Sequence, residues 1–438
     1  MNVLYVHTHD SGRYIGPYGY QNLTPNIDSL GKESTVFRHC YCAAPTCSPS
    51  RSALLTGTWP HNNGMLGLAH RGFSLYDKQK HASHVFAAHG YETILCGIQH
   101  EAEDPVSLGY QIMENQEKYI PDAGKYDLAS TDAMCDILTT RDTQRPFFAS
   151  LGLFSCHRNF PPETVDADYI APPPQLYDCD KNREDMAGYL SSVKIADQCV
   201  GRILETLKQR NLWDDTIIIF TTDHGIAFPY MKCNLYDTGI GVACMLYYPG
   251  NPMKGKVTDT LISHIDLLPT VYDLCGIRKP DWLQGQTLIP VLSGEEREVN
   301  EVVYSEVTYH ASYEPMRCIR TRRYKLIRRF GTSNRLVPSH IDQGISKDFL
   351  LDAGILEKTV HQRELLFDLY LDPLERENLV SDAAYQEIYQ NLSEQLLQWM
   401  ADTQDPVLSA VSRVPVPRGT RVNKLSSLHP GMADYEAE

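Results

Sequence analysis

The chain has 438 residues, 42% hydrophobic and 22% charged, a globular balance that excludes disorder and collagen-like composition and suffices for two to three domains. Forty Lys and Arg against 55 Asp and Glu leave a net charge of −15, a field that repels nucleic acid and anionic membranes, so neither is expected as a partner. No apolar run approaches the roughly 20 residues of a bilayer span, and Met1 leads directly into Val3-Leu4-Tyr5-Val6 without a charged leader, so the chain reads as cytoplasmic.

In chain order, short apolar runs alternate with helical patterns over the first two thirds, which predicts a mixed α/β architecture with a largely parallel sheet flanked by helices. Residues 3–8 form the first run and lead into His9-Asp10. Ser48, a good N-cap, then opens a short helix with Pro49 at its first position and Gly57 at its left-handed stop. Cys47 therefore falls just before a helix N-terminus, with Arg51 about one turn in, and an anion has a seat beside the sulfur.

Residues 93–96 lead toward His100, and residues 147–154 lead into Cys156-His157. Between 184 and 209, Met186, Leu190, Val193, Val200, Ile203, Leu204 and Leu207 recur at helical spacing, which predicts a core-covering helix. Residues 217–220 lead into Asp223-His224-Gly225. Ligands of open α/β sheets bind beyond the carboxyl ends of strands, so four such ends carrying His or Asp predict an active site there.

After about residue 295 the pattern shifts to strand candidates at 302–304, 316–320 and 324–328, then a helix near 383–401. The expected division is a catalytic domain over 1–295, a smaller C-terminal α+β unit over 296–405 and an extended tail over 406–438. That tail would wrap the surface or a partner subunit in a homo-oligomer. The 12 cysteines are scattered and read as reduced thiols; Cys40, Cys42 and Cys47 lie close together, but no second pair follows at zinc-ribbon spacing.

Taken alone, Cys47 is open to two readings. It is a lone cysteine at a capped helix start, or a low-pKa thiolate nucleophile as in cysteine phosphatases, whose loop spaces Cys and Arg by five residues where three intervene here. A third reading comes from resemblance. Cys47-Ser48-Pro49-Ser50-Arg51, followed by Ser52-Ala53-Leu54-Leu55-Thr56-Gly57, resembles the signature of type I sulfatases. The likeness extends to Thr24-Pro25-Asn26-Ile27-Asp28, to Asp223-His224-Gly225 with Asn234-Leu235-Tyr236, and to residues 320–327 and 366–379. His61-Asn62-Asn63-Gly64-Met65, residues 154–158, and Glu306-Val307-Thr308 with Pro315-Met316-Arg317 are most similar to the heparan N-sulfatase (sulfamidase) members.

The resemblance implies an alkaline-phosphatase-like fold and hydrolysis of a sulfate ester or sulfamate on a sulfated, glycosaminoglycan-type sugar. It implies that a maturation enzyme oxidises Cys47 to formylglycine, whose hydrate attacks sulfur. His157 would then protonate the leaving group, His100 would assist sulfate expulsion, and Arg51 and Lys232 would supply fixed positive charge. His9, Asp10, Asp223 and His224, with position 47, would surround one divalent metal. Glu306, His310 and Arg317 would line the sugar side of the pocket, unless they form an inter-domain ion-pair network.

Two departures stand out. His9-Asp10 occupies the place of the family's Asp-Asp pair, and Gly97-Ile98-Gln99-His100 occupies that of Gly-Lys-x-His, so a cation is missing at Ile98. The family points to calcium, whereas the imidazoles of His9 and His224 favour manganese, iron or zinc. The rival functions are phosphodiester or phosphonate monoester hydrolysis on the same scaffold, and a degenerate homologue that only binds sulfated ligands.

Overall fold

In the computed structural model, which describes residues 1–20, 23–116, 120–141 and 144–436 apart from the side chains of 356 and 357, the apolar runs assemble into one large sheet and one small one. The strands are β1 (Asn2–Thr8), β2 (Thr35–Tyr41), β3 (Glu92–Gly97), β4 (Ile112–Glu114), β5 (Phe147–Gly152), β6 (Thr216–Thr222), β7 (Cys244–Tyr247) and β8 (Val257–Ser263), then β9 (Val303–Tyr309), β10 (Tyr313–Arg320), β11 (Tyr324–Arg329) and β12 (Glu364–Asp368). The first eight form a sheet in the order β4-β3-β5-β1-β6-β7-β2-β8. Its pairings are parallel except where β7 runs antiparallel between β6 and β2.

Continuous apolar strands are what a sheet covered on both faces requires, because successive side chains point to opposite sides. On β1, Val3 and Tyr5 enter one core while Leu4 and Val6 enter the other; on β6, Ile217 and Ile219 oppose Ile218 and Phe220 in the same way. The helix Asp180–Gln209 lays all seven of its expected apolar residues on the second core. It starts four residues before the predicted 184, because its first turn carries charge and no apolar stripe.

The second sheet is antiparallel throughout, in the order β12-β11-β10-β9, and the helix Gln386–Asp402 packs its Leu392, Leu396, Trp399 and Met400 into a third core with Leu326 and Leu366. Val414 and Val422 of the C-terminal segment join that core, and Asn423 N–H donates to the Ala311 carbonyl at 2.8 Å. The segment from 406 thus wraps its own chain. All 12 cysteines are free, and among the described residues no helix is long and apolar enough to cross a membrane.

Candidate active site

The strand order places β3, β5, β1 and β6 side by side, so the four polar strand ends expected from sequence converge on one edge of the sheet. His9 and Asp10 follow β1, fully buried, with Asp10 in a left-handed conformation (φ 43°) that Asp tolerates better than most residues. Its backbone N–H donates to Asp223 Oδ1 at 2.9 Å, locking the β1 and β6 ends together. The loop after β5 is held from below by Asp127, whose carboxylate accepts from the backbone N–H groups of Phe154 (2.6 Å) and Ser155 (2.8 Å).

The helix bearing Cys47 runs Cys47–Thr56, with Thr46 as N-cap and Gly57 in the left-handed stop. Its cap lies two residues earlier than the one expected at Ser48, whose hydroxyl instead accepts from Ala69 N–H at 3.0 Å. Cys47 is consequently the first helical residue. Its Sγ lies 3.4 Å from His224 Nε2 and 4.0 Å from Asp10 Oδ1. Burial pushes its thiol well above the ordinary range, against the pull of Lys232. A buried, protonated thiol is the opposite of the exposed thiolate that cysteine phosphatases need.

Two carboxylates and two imidazoles face one another around Cys47. His224 Nδ1 donates to the Gly225 carbonyl at 2.9 Å, which leaves the Nε2 lone pair directed at Asp10 Oδ1 (3.3 Å) and Asp223 Oδ2 (3.6 Å). His9 is fully buried with neither ring nitrogen hydrogen-bonded, although Nδ1 is 3.2 Å from Asp223 Oδ2. Burial and then Arg51 hold its imidazole neutral. Lone pairs facing carboxylates, and a buried imidazole without a partner, are arrangements that a cation between them satisfies. One ligand atom each from His9, Asp10, Cys47 and Asp223 fall within 4.8 Å of one another.

The expected cations are both present and both engaged. Arg51 donates through Nε (3.2 Å) and Nη2 (3.0 Å) to Asp223, through Nη2 to the Thr8 carbonyl (3.2 Å), and through Nη1 to His7. Lys232 Nζ bridges Asp10 Oδ2 (2.9 Å) and Asp342 Oδ2 (2.7 Å). Burial works against ionised Asp10, yet Lys232, His157 and His224 hold its carboxyl well below the usual range. His157 Nδ1 donates to the Arg158 carbonyl at 2.6 Å, while Nε2 lies 3.9 Å from Asp10 Oδ2 on a side chain still 24% exposed. His100 packs edge-on against His9, with ring centroids 4.7 Å apart.

The three residues expected on the sugar side separate. His310 is buried within the field of Lys232 and Asp342. Arg317, with no exposed surface, is instead gripped by Asp405 through Nε (2.5 Å) and Nη2 (2.9 Å), with Glu306 at 3.2 Å. Glu306 also takes the His61 backbone N–H (2.8 Å) and Nδ1 (2.6 Å). Both therefore sit in a buried ion-pair network with His61 and Asp405. Sequence reasoning missed Asp342, which lacks any strand-end signal and reaches Lys232 from a C-terminal loop. It also missed Glu101, whose buried carboxyl is pushed up to about 7 by desolvation.

A cavity of about 490 Å³ opens beside this cluster, lined in part by Ser48, Ile98, His100 and Phe154. A helix N-terminus, fixed cations and a buried carboxylate and imidazole cluster at the carboxyl edge of a mostly parallel sheet define a hydrolase of the alkaline-phosphatase-like class. The sequence matches the sulfatase family over residues 1–277 and the family described as N-sulphoglucosamine sulphohydrolase, C-terminal, over residues 224–337. The chain belongs to the sulfatase family.

It is similar to N-sulphoglucosamine sulphohydrolase of Homo sapiens, with 27% identity covering 97% of this chain and 93% of the relative. An ulvan-active sulfatase of Formosa agariphila is 28% identical over 97% of this chain and 85% of its own. Among solved structures, a 2-O GAG sulfatase shares the fold with a TM-score of 0.75 at 22% identity, covering 97% of both chains. The phosphonate monoester hydrolase of Agrobacterium radiobacter shares it at a TM-score of 0.69 and 20% identity, covering 94% of this chain and all of that one (100%).

Proposed function

We propose that this sulfatase hydrolyses a sulfate ester or sulfamate on a sulfated saccharide, with position 47 as the source of the nucleophile. The observation that carries this reading is the placement of Cys47 at a helix N-terminus, in contact with the His9, Asp10, Asp223 and His224 cluster. The saccharide assignment draws support from the relatives, N-sulphoglucosamine sulphohydrolase and ulvan-active sulfatase.

Conversion of Cys47 to formylglycine by a maturation enzyme would supply an oxygen nucleophile where the protonated thiol is unsuited. His9, Asp10, Asp223 and His224 would hold a divalent cation, which supplies Lewis-acid polarisation beside position 47. The donor chemistry, two imidazole nitrogens with two carboxylates, suits manganese, iron or zinc better than calcium, which prefers an all-oxygen shell. Twelve free thiols support a reducing compartment.

The chain's own side chains then divide the work. Lys232 and Arg51 place fixed positive charge within reach of position 47, where sulfuryl oxygens gain negative charge. Asp342 holds Lys232 from the side opposite Asp10. His157 has its Nδ1 committed to the Arg158 carbonyl, so Nε2 is the atom that delivers a proton to the departing oxygen or nitrogen. His100, kept neutral chiefly by burial, is suited to accept a proton from position 47 in the second half of the cycle. The test is twofold: the mass of the tryptic peptide 39–51, and turnover of N-sulfated and O-sulfated glucosamine against phosphate mono- and diesters. An unmodified Cys47 in active enzyme, or faster turnover of phosphate esters, overturns the reading.

A further inference from the structure

The cavity beside position 47 is completed by a residue from the far end of the chain. Its wall includes Ser48 and His100, next to the reacting centre, then His70 and Ile98, and finally Arg421 of the C-terminal segment. The ring of His70 lies 6.5 Å from that of His100, so the cavity leads from the centre outward to Arg421. Among its described lining residues Arg421 is the lone lysine or arginine, and Glu103 is the lone carboxylate. Ile98, in the same wall, carries no charge.

The segment that carries Arg421 is built into this wall. Arg421 N–H donates to the Arg71 carbonyl at 2.9 Å. Arg71, itself buried, returns bonds to the Arg421 carbonyl (3.1 Å), the Ala311 carbonyl (3.3 Å) and Asn423 Oδ1 (2.8 Å). Gly72, with φ of +104°, lets the strap approach so closely that a Cβ there would stand 3.1 Å from Thr420 Cα. Among the described residues, the Arg421 guanidinium makes one hydrogen bond, from Nη2 to the His70 carbonyl. A guanidinium has five N–H donors in a planar fork, so this bond leaves capacity for an anion in the cavity. In a chain of net charge −15, a substrate with two anionic groups needs such a local cation beyond the one that meets the reacting sulfate.

We propose that Arg421 is a specificity-determining residue that pairs with a second anionic group, a sulfate or a carboxylate, on the saccharide whose first sulfate reacts at position 47. The inference rests on the saccharide reading above. The substrate class it selects is polyanionic sugar, and a neutral sugar bearing a single sulfate is the poorer substrate.

The test compares kcat/KM of the metal-loaded, matured enzyme on four probes: 4-nitrophenyl sulfate, a monosulfated glucosamine, a disulfated glucosamine, and a monosulfated disaccharide carrying a uronate. Arg421→Ala is expected to lower kcat/KM about 10- to 100-fold on whichever doubly anionic probe the wild type prefers, mostly through KM. The two singly charged probes are expected to change less than about twofold, and Arg421→Lys to recover part of the loss, since it restores charge without the fork. The disulfated and uronate probes separate sulfate from carboxylate as the partner. Arg421→Gln, which can still donate to the His70 carbonyl, serves if the alanine variant folds poorly. Equal losses on all four probes, or a wild type that turns over 4-nitrophenyl sulfate yet shows no preference for a second anion, overturn this proposal alone. A wild type inert toward every sulfated probe overturns it together with the saccharide reading.

Discussion

Arg317 is the residue for which sequence and structure point to different experiments. On sequence, its loss is expected to weaken sugar binding. In the fold its guanidinium has no exposed surface and forms a two-bond fork with Asp405 (2.5 and 2.9 Å), with Glu306 at 3.2 Å and the carbonyls of Val307 and Met316 each at 2.8 Å. Arg317→Ala would strand two buried carboxylates and two carbonyls. Removing one partner of a buried pair costs about 3–5 kcal/mol, far more than a surface bridge. That corresponds to a Tm fall on the order of 3–5 °C for a chain of this size. Arg317→Lys should recover only part, because an ammonium cannot reproduce the fork. Burial opposes ionised Asp405, but Arg317 outweighs it and lowers its pKa. The depressed carboxyl therefore contributes stability above its unfolded pKa of about 4 and loses it as pH falls through the lower folded value. The stability gap between wild type and Arg317→Ala should accordingly narrow in acid. Urea unfolding at several pH values, with kcat/KM measured on a sulfated glucosamine and on an aryl sulfate, decides the matter. Unchanged stability with a KM rise confined to the sugar would refute the structural role.

Three further outcomes are expected. Cys47→Ala should abolish sulfate turnover while leaving the unfolding free energy within about 1 kcal/mol of wild type, since the helix N-terminus persists; residual activity above a few per cent in steady-state assays would remove position 47 from the chemistry. His157→Ala should slow sugar sulfates and sulfamates by about 10²- to 10⁴-fold and 4-nitrophenyl sulfate much less, because a nitrophenolate departs without protonation; equal losses would assign the acid elsewhere. Elemental analysis of purified enzyme should find manganese, iron or zinc, with His9→Ala reducing metal content and the bound metal released as pH drops through the imidazole range, where nitrogen ligands protonate. Calcium alone in the wild type, with His9→Ala retaining it, would show an oxygen-only site.

The sequence by itself determined the features whose physics is local. Alternating burial on both faces made residues 3–8 and 217–220 legible as central strands, and the helical stripe from Met186 to Leu207 announced its packing face. The strand ends at His9-Asp10, His100, His157 and Asp223-His224 were visible as polar residues after apolar runs, and a parallel sheet brings such ends to one edge. The helix start at Cys47 was legible to within two residues, as caps are when side-chain and backbone competition is finely balanced. Only the tertiary structure decided which charges meet. Arg317 and Glu306 look like ligand contacts in one dimension, yet Asp405 and His61, brought in from distant segments, satisfy them. Asp342 and Arg421 carry no local pattern at all, because a loop and a strap have no periodicity to betray their direction. Their places beside Lys232 and in the cavity follow from where the second sheet and the Arg71 anchor return the chain. Ion pairing depends on distances that close only when remote segments pack, which is why these partners belong to the fold and not to the sequence pattern.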